Sequence, residues 1–208
     1  MTNDMIKATD ENIRQLVIDG IEKYGPNADL NYIDTSEVTN MTHLFYNTRF
    51  NGDISLWDTH NVINMSWMFY NNKRFNGDIS SWDTHNVRDM KWMFNNSLFN
   101  GDISRWDVSN VTTMQDMFSD SLFNQDISGW DTHNVVDMSN MFAYSLFNGD
   151  INQWDIHNIK YMYAMFQYND VYDKEITWEV DLKNLFGDSY DNYLERRRLK
   201  ILKDLCIV

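Results

Sequence analysis

The chain has 208 residues, of which 43% are hydrophobic and 15% aromatic, and its formal net charge is −14. Such a composition supplies a continuous apolar core and excludes an intrinsically disordered chain. It also disfavours nucleic acid and anionic membranes as partners, because an acidic surface repels phosphate groups. The single cysteine, Cys206, cannot form an intrachain disulfide, so the fold does not depend on an oxidising compartment.

The N-terminal segment predicts an amphipathic helix. A start at Thr9-Asp10 and a stop at Gly25-Pro26 enclose apolar residues at helical spacing. These residues are Ile13, Leu16, Val17, Ile21 and Tyr24. The chain begins without the apolar stretch of a secretory signal, and no apolar run approaches the roughly 20 residues of a membrane-spanning helix. We therefore expect no membrane insertion and, as the sequence is written, a cytoplasmic protein.

A motif that recurs about every 24 residues fills the middle of the chain. The unit reads Phe-Asn-Gly-Asp-Ile-Ser-x-Trp-Asp-x-x-Asn-Val-x-x-Met-x-x-Met-Phe, followed by about five polar residues. Three columns of apolar residues keep this period: Phe50, Phe75, Phe99, Phe123 and Phe147; Trp57, Trp82, Trp106, Trp130 and Trp154; Met41, Met65, Met90, Met114, Met138 and Met162. We expect all three columns to form one core.

The pattern inside each unit predicts a fold class. Phe50 and Ile54 share the parity of a short strand, whereas Val62, Met65 and Met68 follow helical spacing. We therefore predict a leucine-rich-repeat-like solenoid of six coils with short parallel strands, short helical turns and helical caps at both ends. The division is an N-terminal helical cap at 1–30, the six-coil solenoid at 31–170 and a C-terminal cap with a terminal helix at 171–208, all one domain.

Two segments of the repeat carry a family resemblance. Residues 123–131, Phe-Asn-Gln-Asp-Ile-Ser-Gly-Trp-Asp, and 110–118, Asn-Val-Thr-Thr-Met-Gln-Asp-Met-Phe, resemble the BspA-like leucine-rich repeats. These repeats are also known from Mycoplasma surface lipoproteins as a domain of unknown function. The resemblance covers about residues 27–170 and implies surface display, adhesion or host interaction. It brings no catalytic residue, and the chain lacks the signal or lipoprotein cysteine of the surface members.

Aspartates recur in every unit and admit two interpretations. Each carboxylate can accept backbone N–H groups within its own turn, or carboxylates of adjacent units can together bind Ca²⁺. The Ca²⁺ candidates are Asp53, Asp78, Asp102, Asp126 and Asp150. A column of His60, His85, His133 and His157 invites a metal interpretation too, but Ser109 interrupts it. The asparagines at Asn61, Asn86, Asn110, Asn134 and Asn158 predict a buried amide ladder.

The positions at which the repeats disagree are free to serve function. The position before the second Met reads His43, Trp67, Trp92, Asp116, Asn140 and Ala164. Trp67 and Trp92, in adjacent units, predict either an exposed aromatic pair for binding or a pair covered by a neighbouring segment. Tyr161 and Tyr163 extend a looser aromatic patch toward the C-terminus, together with Tyr144 and Tyr168.

Three functions follow from these observations, in decreasing order of support. The first is a non-enzymatic recognition module that presents a rigid repeat surface to a protein or glycan. The second is a structural or assembly subunit, either of a larger particle or of a filament of solenoids joined end to end. The third is a carbohydrate-active enzyme that uses two aspartates, which is disfavoured because a carboxylate present in every unit is explained by structure. No cofactor is expected apart from Ca²⁺.

Overall fold

The computed structural model describes residues 5–205. Two short parallel strands pair Ile6 with Ile33 and Lys7 with Asp34. The helices and strands are β1 (Ile6–Lys7), α1 (Ile13–Tyr24), β2 (Ile33–Asp34), α2 (Leu182–Phe186) and α3 (Tyr190–Asp204), with a 3₁₀ turn at Gly187–Ser189 between the last two helices. Cys206 lies outside the described residues.

The predicted fold class is wrong. Helix accounts for only 17% of the residues and strand for 6%, so the chain is not a six-coil leucine-rich-repeat solenoid with helical caps. In the described residues between β2 and α2, strand pairing is reduced to isolated parallel bridges such as Asn64 with Asp89. The segment that contains Met65 and Met68 was predicted as helical, but it is a run of turns.

Left-handed residues are the physical reason for these turns. Trp67 and Asn71 have φ angles of 61° and 52°, and the same two positions recur with positive φ in every unit. A left-handed residue every fourth position interrupts the i to i−4 hydrogen bonding of an α-helix. The chain instead closes turns in which the N–H of Met68 donates to the carbonyl oxygen of Met65, at 3.3 Å.

Neighbouring units are joined by backbone hydrogen bonds from these turns. The N–H groups of Met65, Trp67, Phe69 and Asn71 donate to carbonyl oxygens of the next unit at 2.9–3.0 Å. The acceptors are Asp89, Lys91, Met93 and Asn95. These four bonds all run toward the C-terminus, whereas in a parallel β ladder the donors alternate between the two strands.

The core follows the repeat. The Phe and Trp columns are buried along their whole length, and so are the Met columns except for Met162, which is only partly buried. Phe rings of successive units stack, with 5.4 Å between the centroids of Phe69 and Phe94. Each ring of the Trp column also donates its indole N–H to a carbonyl oxygen of the preceding unit, as Trp82 does to Ile54 at 3.2 Å. The predicted burial of the repeat columns is therefore confirmed.

Both longer helices pack against this core. α1 buries Ile13 and Val17, and Gly20 allows close packing because a Cβ there would lie 2.5 Å from Leu30. The helix ends before Gly25, whose φ of 86° is left-handed. At the other end of the chain, α3 buries Tyr193, whose ring stacks on Phe186 at 3.9 Å.

We expect Met114→Ala to lower the free energy of unfolding by about 2–5 kcal/mol, because the side chain is fully buried in a middle unit and its loss leaves a cavity. Urea denaturation measures this difference. Arg105→Ala is the control, because this side chain is exposed. It should change the free energy of unfolding by less than about 0.5 kcal/mol. Equal effects of the two substitutions would contradict the placement of the Met column in the core.

Candidate binding surface

Five aromatic side chains of the first three units form one contiguous cluster, which we call the aromatic ladder. Its members are His43, Tyr46, Trp67, Tyr70 and Trp92. The rings of Trp67 and Trp92 are stacked with centroids 4.7 Å apart and an interplanar angle of 4°. His43 stacks on Trp67 at 5.6 Å, and Tyr46 stacks on Tyr70 at 5.1 Å. The predicted Trp pair is therefore half-buried in a ring stack that continues on one side only.

The two indoles stand at strained backbone positions. Trp67 and Trp92 have φ angles of 61° and 60°, in the left-handed region that bulky side chains rarely occupy. Asn140 and Ala164 occupy the same position in later units, where smaller residues meet the same demand. A left-handed conformation costs an L-residue roughly 1–2 kcal/mol, so the indoles are kept against local preference. Such retained strain is typical of functional positions.

The N-terminal end of the ladder is covered by α1. Arg14 donates a hydrogen bond from its guanidinium to the carbonyl oxygen of His43, at 3.4 Å. Burial lowers the pKa of His43, and the charge of Arg14 lowers it further. His43 is therefore neutral at pH 7 and serves as an apolar first ring of the stack.

A buried carboxylate follows the C-terminal end of the ladder. Asp116 occupies the position that Trp92 holds in the preceding unit, and only 6% of its surface is exposed. Burial raises the pKa of Asp116 from 3.8 to about 6, and the neighbouring amide side chains of Asn140 and Gln115 offset only part of this rise. None of the ion pairs among the described residues includes Asp116. The sequence showed only that this position is polar, so the significance of Asp116 was missed.

The remaining aromatic candidates lie toward the C-terminus. Tyr161 and Tyr163 are 59% and 58% exposed, which makes them more accessible than the Trp pair. The rings of Tyr144 and Tyr168 lie with centroids 4.9 Å apart at an interplanar angle of 32°, and both residues have positive φ. The unit that carries Asp116 lies between these tyrosines and the aromatic ladder, and no ring contact joins the two groups among the described residues.

The aspartates proposed for Ca²⁺ are each engaged in a local turn. In each case Oδ1 accepts the backbone N–H of the second residue after it, at 2.9–3.0 Å; the members are Asp53, Asp78, Asp102, Asp126 and Asp150. The backbone hydrogen bond from Ser104 lowers the pKa of Asp102. The corresponding backbone hydrogen bonds lower the pKa values of Asp53, Asp78 and Asp126. The turn accounts for the recurrence of the carboxylates.

The histidine column pairs with carboxylates of its own unit. His60 Nδ1 lies 2.6 Å from Asp58 Oδ1, and His85, His133 and His157 repeat this contact at 2.6–2.8 Å. No group of three or more His, Cys, Asp or Glu side chains among residues 5–205 is arranged to hold a metal ion.

The asparagine column and two arginines of α3 bind the chain to itself. The asparagine column is exposed, which corrects its predicted burial; Asn86 donates from its side chain to the carbonyl oxygen of His60, at 2.7 Å. On α3, Arg196 donates to the carbonyl oxygen of Asn169 at 2.9 Å, and Arg197 donates to that of Asp173 at 2.8 Å. These arginines therefore fasten α3 to the preceding segment.

The family can be identified from the sequence that builds this surface. The chain matches the model of DUF285, described as a Mycoplasma protein of unknown function, at residues 17–122 and again at 95–192. It therefore belongs to this family. No curated protein and no solved structure matches the chain. None of the helices in the described part of the chain has the length and apolar character needed to cross a bilayer.

We expect the stability of Asp116→Asn relative to the wild type to rise by about 2–3 kcal/mol between pH 4 and pH 7, because each unit of pKa shift corresponds to about 1.4 kcal/mol. The pKa of the acid is raised in the folded state, so the cost appears as the pH rises from 3.8 toward 6. Urea denaturation of both proteins across this range should therefore give a difference that grows as the pH rises from 4 to 7. Asp120→Asn, at an exposed left-handed position of the same unit, is the control and should not show this pH dependence. A constant difference at all pH values would contradict the burial of an ionisable Asp116.

A second expectation concerns Ca²⁺. If the aspartate column is satisfied by its turns, millimolar Ca²⁺ and EDTA should give the same melting temperature. A ligand that binds only the folded state would raise that temperature by mass action. Scanning calorimetry with Mg²⁺ as the matched control distinguishes the two cases. A Ca²⁺-specific rise that EDTA reverses would restore the metal interpretation.

Proposed function

We propose that the chain is a non-enzymatic recognition module whose aromatic ladder binds a protein or glycan partner. The observation that carries this proposal is the placement of Trp67 and Trp92 at left-handed positions, where the fold accepts Asn140 and Ala164 equally well. Two stacked, half-buried indoles present a large rigid edge at a low cost in side-chain entropy.

A further observation supports binding in preference to catalysis. The recurring aspartates and histidines are paired with each other or with backbone N–H groups of their own turns, as at Asp83 and His85. A nucleophile or general base requires a group that faces a substrate, whereas these groups repeat from unit to unit for structural reasons. Resemblance to BspA-like repeats supports a finer proposal, that the surface acts in adhesion or host interaction.

Replacement of both indoles, Trp67→Ala with Trp92→Ala, tests the proposal. We expect partner affinity to fall by about 2 kcal/mol, or roughly thirtyfold, which is the range of aromatic hot spots. The partner is captured on the immobilised full chain from the native source, and its affinity for purified wild-type and variant chains is then measured by calorimetry. The variant should remain folded, because alanine already occupies this position at Ala164.

The matched control is Leu98→Ala with Leu122→Ala, which removes two exposed apolar side chains of adjacent units on another column. This control should leave partner affinity unchanged. The proposal is wrong if the partner binds the two variants equally well. Loss of self-association in the Trp variant alone would instead identify the ladder as an assembly contact.

A further inference from the structure

The aromatic ladder ends abruptly at a position that another ring could occupy. Trp92 stacks on Trp67 through one face and also contacts Tyr70, with centroids 5.9 Å apart. The position that follows it in the next unit holds Asp116, so no ring of the described residues stacks on the second face of Trp92. One indole face and one carboxylate therefore adjoin each other at the open end of the ladder.

The carboxylate at this end lacks a cationic partner. Only 6% of the surface of Asp116 is exposed, and the neighbouring Asn140 and Gln115 side chains, which lower its pKa, are neutral amides. Asp137 adds a repulsive negative charge. A buried carboxylate that meets only neutral and negative groups is costly, and a cation that pairs with it offsets part of that cost.

We propose that the open end of the ladder is a binding site for an arginine side chain of a protein partner, with its guanidinium stacked on Trp92 and paired with Asp116. A guanidinium is planar, so it can take the place of the next ring, and it stays charged when it is desolvated. It can also donate two hydrogen bonds to one carboxylate. An ammonium group offers no flat surface for the stack. This inference rests on the proposed recognition function and names the chemistry of the partner.

The charge of the whole chain favours the same class of partner. A net charge of −14 attracts basic segments over long range and repels acidic ones. In the unit of Asp116, the small Ser119 stands where the larger Tyr70 and Asn95 stand in earlier units. Asn95 reaches across and donates to the carbonyl oxygen of Asp116 at 3.4 Å, which fixes the backbone beside the carboxylate.

The test uses the full chain and a short uncharged peptide that carries one arginine, with matched peptides in which citrulline or lysine replaces it. Titrations are followed by NMR at the indole N–H of Trp92. We expect saturable shifts with the arginine peptide, and at least about tenfold weaker binding with the citrulline peptide, which keeps the shape and loses the charge. The lysine peptide should bind with intermediate affinity.

Two variants separate this site from the rest of the ladder. Asp116→Asn should weaken binding of the arginine peptide by at least about tenfold, whereas Asp120→Asn should leave it unchanged. Both variants should fold, because asparagine occupies the same two positions at Asn140 and Asn96. Melting curves verify this.

The inference is overturned if the citrulline peptide binds as well as the arginine peptide, or if Asp116→Asn binds as the wild type does. An oligosaccharide that shifts Trp92 equally in the wild type and in Asp116→Asn would also overturn it. In each of these cases, continued loss of partner binding in the Trp67→Ala/Trp92→Ala variant would leave the proposed recognition function intact. The two proposals therefore fail separately.

Discussion

The direction of the backbone hydrogen bonds between repeat units is the constraint on which the rest of the structure depends. In the turn segments, N–H groups of one unit donate to carbonyl oxygens of the next, so the peptide dipoles of successive units align. The last unit would leave such N–H groups unpaired. Ala164 and Phe166 instead donate to the carbonyl oxygens of Asn184 and Leu185, at 2.8 and 2.9 Å. These carbonyl groups are free because they lie in the last turn of α2.

This hydrogen-bonding pattern also decides what the surface can carry. To aim alternate N–H groups along the stack of units, the chain must adopt positive φ at two positions in each unit. Asn47, Asn71 and Asn96 meet the demand at one of these positions with a residue that tolerates the left-handed region. At the other position, Trp67 and Trp92 adopt the left-handed conformation although bulky side chains disfavour it. Their side chains are therefore informative about function.

The site illustrates how far a repeat can be interpreted from residue types. The alignment of units singled out Trp67 and Trp92 as departures from the pattern, and the structure places them in one ring stack. The alignment could not indicate that the stack would be half-buried, or that Asp116 would lie buried at its end. Burial depends on which side chains of adjacent units converge. Nor could the alignment separate a column of Ca²⁺ ligands from one of turn acceptors, since both require the same oxygen atoms at the same spacing.

The sequence alone determined the period and membership of a repeat family of unknown function. It also determined the burial of the Phe and Trp columns and of most of the Met column. These properties follow from the transfer of apolar side chains out of water, which depends on composition and spacing. Only the tertiary structure decided the local conformation. Val62, Met65 and Met68 have the spacing of a helix, yet turns bury them equally well because the next unit supplies the hydrogen-bond partners. Hydrophobic spacing specifies which side chains face the core, whereas the backbone conformation depends on where each N–H finds its acceptor.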